Sequence, residues 1–344
     1  MASPTAPQRP TLVSLAREVG VSRQTVANVI NAPHLVKPST RERVLKAILE
    51  SGYRPSLVGR TQRTNRSMML GLRLLPLHGG VTRAVMDRFL HFLAKVAHAH
   101  GYRLTLFTAA DTNEELAQLL ELAQKGAIDA AILTDTTDGD ARPDVLAAER
   151  VNFVAFGRPW GRPESTHSWV DVDGSAGTAA ATAHLIAAGH ERIGFLGWRD
   201  MTGGGEDRRA GWERTLPQSV AAEAGRLFVG LEDSLEDGFI GAQRLAERGA
   251  TALVCASDVL AMGAASSVRT SGQDVPVIGF DDTPAAAALG LSSVAQPLEE
   301  AAVEILATLV AILAGTQQAP THTLLAPKLV LRSGGPCRPP QDRI

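Results

Sequence analysis

The chain has 344 residues, of which 44% are hydrophobic and 20% are charged, and its formal net charge is −2, so it is long enough for two or three globular domains. The N-terminal residues "MASPTAPQRP" lack the apolar segment of a secretory signal, and no run of 18 uncharged apolar residues is available to span a bilayer, which predicts a cytoplasmic protein. Two cysteines, Cys255 and Cys337, are too few for a disulfide framework or a cysteine-built zinc site.

Charge is distributed unevenly along the chain. Residues 1–66 carry eleven Lys or Arg against three Asp or Glu, a net charge of +8, whereas the rest of the chain carries −10. A basic segment of this size indicates a polyanionic partner. The alternative is a solvated charged tail, which the pattern disfavours because apolar residues recur in this segment at helical spacing.

Three short helices are predicted in this basic segment. Thr11 is a candidate N-cap for a helix that ends at Gly20, and Ser22 is a candidate N-cap for a second helix after only one intervening residue. So tight a joint is typical of a helix-turn-helix motif, whose second helix enters the DNA major groove by its N-terminal residues. A third helix is predicted from Ser39, with the capping box Ser39-Thr-Arg-Glu42, to Gly52.

The segment "TLVSLAREVGVSRQTVANVINAPHLVKPSTRERVLKAILESGYRPS" resembles the headpiece of the lactose-repressor (LacI/GalR) family of bacterial transcription factors, and the remaining chain is similar to that family's effector-binding core. The resemblance implies a sequence-specific transcriptional regulator, expected to be a repressor, that binds a palindromic operator in double-stranded DNA. Arg23, Gln24 and Asn28 occupy the leading face of the second helix and are expected to read base edges. The predicted DNA-binding residues are Thr11, Ser22, Arg23, Gln24, Thr25, Asn28, Asn31, Arg60, Gln62 and Arg63.

Residues 55–67 match the family's hinge, which becomes helical on the operator and inserts a leucine into the minor groove. Here the matching position is Gln62, and the usual alanine three residues earlier is Gly59, which costs a helix interior about 1 kcal/mol relative to alanine. Because glutamine cannot act as an apolar wedge, these departures argue against a sharp DNA kink. The alternative for this basic segment is a plain charged linker.

From Met68 onward, apolar runs alternate with helical stretches, which predicts an α/β core of two doubly wound parallel-sheet lobes, like that of periplasmic binding proteins, behind the all-α headpiece. The resemblance implies that the chain crosses between the lobes three times. The predicted divisions are a headpiece at 1–54, a hinge at 55–67, an N-terminal lobe at 68–164 and 298–325, a C-terminal lobe at 165–297 and 326–338, and a tail at 339–344.

Polar residues follow several of the predicted strands, at the edge where ligands of open α/β sheets bind. The resemblance places effector contacts at Arg208 and Asp281. An arginine, an aspartate and nearby tryptophans suit a polyhydroxylated ligand, and a sugar is the family default. The predicted effector-binding residues are Arg158, Trp160, Trp198, Arg208, Ser257, Asp258 and Asp281. The alternative for Asp171 and Asp282, which also follow strands, is helix capping.

No catalytic motif was found, and neither a cofactor nor a metal is predicted. The sequence contains no G-x-S-x-G, P-loop, G-x-G-x-x-G or H-E-x-x-H pattern. The loop "GGGEDRR" could cradle a phosphate at a helix N-terminus. A glycine-rich sugar-phosphate or nucleotide-binding enzyme is therefore the alternative function.

A homodimer is predicted from the helix in "VTRAVMDRFLHFLAKVAHAHG". Its apolar residues cover an arc of about 160°, wider than the roughly 100° that packing on one sheet requires. The predicted dimer contacts are Val85, Phe89, Phe92 and Val96, and a dimer would present two headpieces to a palindromic operator. The alternative is a helix buried on two sides within one subunit.

Overall fold

The computed structural model describes residues 10–31, 33–51, 53, 66–74, 84–200 and 202–332. The chain divides into two structural units, Met1–Arg66 and Ser67–Ile344. Within the described ranges, no helix combines the length and the apolar character needed to cross a membrane.

The first unit is a three-helix headpiece built from α1 (Leu12–Val19), α2 (Arg23–Asn31) and α3 (Pro38–Ser51). Its small core includes the fully buried side chains of Leu15, Val26 and Val44, one from each helix. The predicted N-cap at Thr11 and the left-handed C-cap at Gly20 are both confirmed, with Gly20 at φ 70°.

The start of the third helix differs by one residue from the prediction. Helix α3 begins at Pro38, and the Lys37 carbonyl accepts from the backbone N–H groups of Thr40 and Arg41. Proline suits the first helical position because its φ is already helical and its missing N–H would have no partner there. Ser39 therefore lies in the first turn and is not the N-cap, and the predicted end at Gly52 lies outside the described residues.

The second unit contains two six-stranded sheets, which define the N-lobe and the C-lobe. The N-lobe sheet has the strand order β11-β5-β4-β3-β1-β2. Its strands are β1 (Met69–Leu74), β2 (Arg103–Thr108), β3 (Ala130–Leu133), β4 (Phe153–Phe156), β5 (Trp169–Val172) and β11 (His322–Leu325). Its helices are α4 (Ala84–Ala99), α5 (Thr112–Gln124), α6 (Arg142–Ala148) and α13 (Leu298–Ala314). All of these strands pair in parallel, and α4 and α13 pack together over one core face.

The C-lobe sheet has the order β12-β10-β9-β8-β6-β7. Its strands are β6 (Ile193–Trp198), β7 (Phe228–Leu231), β8 (Ala252–Cys255), β9 (Val277–Asp281), β10 (Ser292–Ala295) and β12 (Lys328–Val330). Its helices are α7 (Gly174–Ala187), α8 (Gly204–Thr215), α9 (Gln218–Ala221), α10 (Leu235–Glu247), α11 (Asp258–Ser271) and α12 (Pro284–Ala288). The edge strand β12 pairs antiparallel with β10, and the other pairs are parallel.

The predicted C-terminal lobe, residues 165–297, includes strand β5, and this assignment is wrong. The structure pairs Trp169 with Ala155 of β4 and with His322 of β11, which puts β5 inside the N-lobe sheet. The chain first crosses between lobes after this strand, where Asp173 caps α7. It crosses again between β10 and α13, and between β11 and β12.

Close helix packing brings α8 to the lobe interface. A Cβ atom at Gly211 would lie 2.0 Å from the Ser175 carbonyl oxygen, so only glycine allows α8 to approach α7 this closely. One residue later, the Trp212 side chain is fully buried, and its Nε1 donates to the Ile193 carbonyl over 3.0 Å. These contacts fix the helix that carries Asp207 and Arg208 near its N-terminus.

Candidate functional site

The leading face of α2 presents the amide side chains that the sequence assigned to base contacts. Arg23 and Gln24 are exposed, and Asn28 is partly exposed one turn further on. The Gln24 Nε2 donates to Asn28 Oδ1 over 2.9 Å. This bond fixes the two amides relative to each other, and each amide still has further donor and acceptor positions for base edges.

The two N-cap hydroxyls hold the starts of the first two helices. Thr11 Oγ1 accepts from the Ser14 N–H over 3.1 Å, and Ser22 Oγ accepts from the Thr25 N–H over 3.0 Å. Both helix N-termini are exposed, and their positive dipole ends suit contact with phosphate oxygens. The Ser22 and Thr25 hydroxyls also share a hydrogen bond of 2.9 Å, which fits a backbone-positioning role better than a base-reading one.

Four of the predicted DNA-binding side chains cannot be placed. Asn31 is the last residue of α2, and its side chain lies outside the described residues, as do Arg60, Gln62 and Arg63. Their assignments stay predictions.

The Arg208 guanidinium lies on the C-lobe side of the cleft between the lobes. It donates to the Ala256 carbonyl, and its Nη1 lies 3.7 Å from Asp281 Oδ1. The guanidinium carbon is 3.8 Å from the Phe280 ring centroid and 5.1 Å from that of Trp198. The side chain is 14% exposed, so its charge acts in a largely water-excluded site.

Asp281, the last residue of β9, is the acceptor opposite Arg208. Its Oδ1 accepts from the Gln296 Nε2 over 2.7 Å. Burial raises the pKa of the Asp281 carboxyl to about 7, although the nearby Arg208 charge acts in the opposite direction. The carboxyl can therefore change its protonation state near neutral pH.

Arg158 joins the two lobes at the other side of the cleft. Its Nε donates to Asp171 Oδ2 over 2.7 Å within the N-lobe, and its Nη2 donates to Asp207 Oδ2 over 3.0 Å in the C-lobe. The guanidinium also lies 4.4 Å from the centroid of the Trp160 ring. Burial raises the pKa of Asp171, and the Arg158 charge partly opposes this effect. The ion pairs make Asp171 a partner of Arg158 rather than a helix cap.

Trp160 reaches the first turn of α8 from the N-lobe. A Cβ atom at Gly203, which has φ 54°, would lie 2.9 Å from Trp160 Cδ1 and 3.2 Å from the Thr136 carbonyl oxygen. Glycine at this N-cap thus allows the indole ring and the α8 terminus to meet. The loop "GGGEDRR" therefore contributes to the contact between the N-lobe and the C-lobe.

Two of the predicted effector-binding residues form hydrogen bonds inside the C-lobe. Asp258 is fully buried, and its carboxylate accepts from the Thr283 N–H, the Thr283 hydroxyl and the Ser293 hydroxyl. Ser257 is 1% exposed, and its Oγ accepts from the Leu260 N–H as the N-cap of α11. Both side chains are buried within the C-lobe, and their predicted effector contacts stay predictions.

Sequence analysis missed two polar residues of the cleft. Asp233 follows β7, accepts a hydrogen bond from the Ser257 hydroxyl, and has its pKa raised by burial. Gln296 follows β10 and binds Asp281. Strand β10 includes two serines and so gave no clear apolar signal, whereas the apolar strand β7 was overlooked.

The helix assigned to dimer contacts, α4, is partly consistent with that role. Val85, Phe92 and Val96 are half-buried within the isolated subunit. Phe89 is fully buried and stacks on Phe156 with ring centroids 4.3 Å apart, so it cannot face a partner chain. Its assignment is corrected, because the arc of apolar residues did not reveal which edge the sheet would cover.

Across the described residues, no group of three or more His, Cys, Asp or Glu side chains is arranged to hold a metal ion. The chemistry of the cleft is instead that of hydrogen-bonding and stacking groups. Two arginines, several buried carboxyls and two tryptophans converge there, and this set can bind adjacent hydroxyl groups and the face of a ring.

Two family descriptions match separate parts of the chain. "Bacterial regulatory proteins, lacI family" matches residues 11–56, and "Periplasmic binding protein-like domain" matches residues 182–334. Among curated relatives, the HTH-type transcriptional regulator CelR of Thermobifida fusca is 32% identical over 347 residues, which cover 95% of this chain and 99% of CelR. The regulator AscG of Escherichia coli strain K12 is 31% identical and covers 94% of this chain and 97% of AscG.

A solved structure described as a CelR–cellobiose complex also resembles the chain. It has a TM-score of 0.68 and 28% identity, and the alignment covers 95% of this chain and 100% of that one.

Proposed function

Because this chain belongs to the LacI family of bacterial regulatory proteins, we propose that its effector is a carbohydrate bound between the N-lobe and the C-lobe. The protein is a DNA-binding transcriptional regulator whose operator affinity is modulated by a small-molecule effector. Its relatives are regulators, so the alternative of a sugar-phosphate or nucleotide enzyme is set aside.

The observation that carries the effector proposal is the pair formed by Arg208 and Asp281. The arginine offers a planar fork of donors and the aspartate offers two acceptor oxygens, 3.7 Å apart at their nearest atoms. Together they suit two adjacent hydroxyl groups, and the aromatic faces of Phe280 and Trp198 flank the guanidinium. The CelR structure holds cellobiose, which makes cellobiose the first sugar to test.

On the DNA side, Gln24 and Asn28 are the proposed base readers, with Arg23 beside them. Thr11, Ser22 and Thr25 are proposed to contact phosphates from the two helix N-termini. The protein acts as a dimer on a two-fold symmetric operator, and we expect Val85, Phe92 and Val96 to contribute to the subunit contact. We also propose that the protein is a repressor and that it acts in the cytoplasm, where the operator lies.

The experiment is a thermal-shift screen of a sugar panel that begins with cellobiose, run on wild type, Arg208→Ala and Arg209→Ala. A ligand at 100 times its Kd stabilises a protein by about 2.7 kcal/mol, so the shift is measurable. Arg208→Ala should weaken sugar binding roughly tenfold or more, because Asp281 loses its charged partner. Arg209 is the matched control, since it follows Arg208 on α8 but pairs with Glu213 and stacks on Phe228.

Two outcomes would contradict the proposal. Sugar binding by Arg208→Ala at wild-type affinity would remove this residue from the site. A wild-type protein that binds no sugar of the panel would contradict a carbohydrate effector.

A further inference from the structure

Arg88 connects helix α4 of the N-lobe to the end of strand β9 in the C-lobe. Its Nη1 donates to the carbonyl oxygen of Asp281 over 3.2 Å and to that of Asp282 over 2.9 Å. Hydrogen bonds from a cationic donor are roughly twice as strong as those between neutral groups. Sequence analysis gave Arg88 no role, since only the apolar side chains of this helix had been considered.

The backbone that Arg88 contacts has an uncommon conformation. Asp281 has φ 115° and Asp282 has φ 50°, and a positive φ is unfavourable for residues with a Cβ atom. Such a conformation persists only where the surrounding structure determines it, and strained residues of this kind cluster at ligand sites and switch regions. We call residues 281–283 the β9 corner.

Most of the hydrogen bonds that hold the β9 corner come from the C-lobe itself. The Asp258 carboxylate accepts from the Thr283 N–H over 2.6 Å, and the Ser293 hydroxyl accepts from the Asp282 N–H over 3.0 Å. The Asp282 carboxylate pairs with Arg332 at 2.6 Å. Within the described ranges, the hydrogen bonds that reach the corner from the N-lobe are those of Arg88.

Asp281 therefore makes contacts on two sides, through its side chain and through its backbone. Its carboxylate accepts from Gln296 and lies beside Arg208 in the cleft, whereas its carbonyl oxygen accepts from Arg88. Both groups belong to one residue whose φ is unusual, so a change in the backbone of Asp281 would move its carboxylate in the cleft and its carbonyl beside Arg88 together.

We propose that Arg88 is a positioning residue that couples the β9 corner to the N-lobe, so that contacts made at the Asp281 carboxylate change how firmly the two lobes hold together. The effector step rests on the proposed function, whereas the lobe-holding step needs no ligand. Arg158 and Asp207 join the lobes elsewhere in the cleft, at 3.0 Å. The Trp160 ring also meets the start of α8. Loss of Arg88 should therefore let the lobes open on the side of the β9 corner, while these other contacts keep them from separating.

The ligand-free test measures the distance between nitroxide labels on exposed Ala117 of α5 and exposed Gln243 of α10 by pulsed electron resonance. The labels are attached to cysteines introduced in the full-length chain, with Cys337 replaced by serine. Arg88→Met, which keeps an unbranched apolar side chain and removes the donors, should broaden the distribution and shift it to longer distances. Arg88→Lys, which keeps a charged donor, should give an intermediate distribution and serves if the methionine variant does not fold.

The matched control is Lys95→Met on the same helix. Lys95 pairs with Glu299 at 2.9 Å within the N-lobe, so its loss removes a cation from α4 without touching the C-lobe. Lys95→Met should keep the wild-type distribution. An unchanged distribution in Arg88→Met, or an equal change in Lys95→Met, would overturn the proposal.

A second arm uses cellobiose as the probe and compares operator affinity with and without it. Arg88→Met should bind cellobiose within a few-fold of wild type, and the effect of the sugar on operator affinity should fall roughly two- to thirtyfold. A full wild-type effect in Arg88→Met would overturn the effector step. Failure of wild type to bind cellobiose would count against the proposed sugar, and the distance measurement would still decide the role of Arg88.

Discussion

Replacing Asp281 by asparagine should change the pH dependence of stability in a defined direction. The pKa of this buried carboxyl is raised from 3.8 to about 7, so between these values the folded state holds a proton that the unfolded state has lost. The contribution of this carboxyl to the free energy of unfolding is therefore fully present below pH 4. It decreases as the pH rises and is lost once the pH has passed through about 7. Asparagine keeps the shape and a neutral charge at every pH.

The size of the effect follows from the pKa difference. A shift from 3.8 to about 7 corresponds to at most about 4 kcal/mol, at 1.36 kcal/mol per pH unit. The free energy of unfolding of Asp281→Asn, minus that of wild type, should therefore rise by up to about 4 kcal/mol between pH 4 and pH 8.5. Taking the difference cancels the other titrating groups, which both proteins share.

The assay is urea denaturation followed by tryptophan fluorescence at several pH values. A second variant, Gln296→Leu, sharpens the assay because Gln296 donates to the Asp281 carboxylate and lowers its pKa. Without that donor, the pKa of Asp281 in the folded state should be higher, so the loss of folding stability should extend to a higher pH. If the difference in free energy of unfolding between Asp281→Asn and wild type does not change with pH, the reasoning is refuted, because burial then does not raise the pKa of this carboxyl.

Four further predictions concern DNA recognition, packing and dimerisation. Gln24→Ala should relax base preference at one position of each half-site by roughly 1–3 kcal/mol, and equal losses on operator and random DNA would contradict base reading. Gln62→Leu should increase the operator bend, seen as altered gel mobility of circularly permuted fragments, and an unchanged bend would exclude a wedge at this position. Phe89→Ala should lower the free energy of unfolding by about 3–5 kcal/mol, because the fully buried ring stacks on Phe156. Sedimentation analysis should show weaker dimers for Phe92→Ala than for wild type, and dimers of unchanged affinity would contradict the placement of the interface.

Local hydrogen bonding was predictable from the sequence to the residue. Thr11 and Ser22 cap their helices and Gly20 ends the first one, because each cap depends only on neighbours within four residues. Helix α3 shows the limit, since Pro38 starts it one residue before the predicted cap.

Features that depend on distant residues were less predictable. Strand β5 was assigned to the wrong lobe, because its sequence does not show that it pairs with β4 on one side and with β11, about 150 residues away, on the other. Asp258 was expected at the cleft surface, since the sequence shows that it follows a strand but not that Thr283 and Ser293 enclose it. The role inferred for Arg88 depends on carbonyl groups 193 and 194 residues away, which leave no trace in the sequence.

The most direct test of the central claim is the affinity for operator DNA, selected from a random-sequence library, with and without a saturating sugar. Allosteric coupling is commonly worth 5- to 150-fold in affinity, and wild type should show a change in this range with a sugar that stabilises it. Arg208→Ala should bind the same operator with near-wild-type affinity and show no change when the sugar is added. A sugar that binds wild type between the lobes but leaves its operator affinity unaltered would contradict the account.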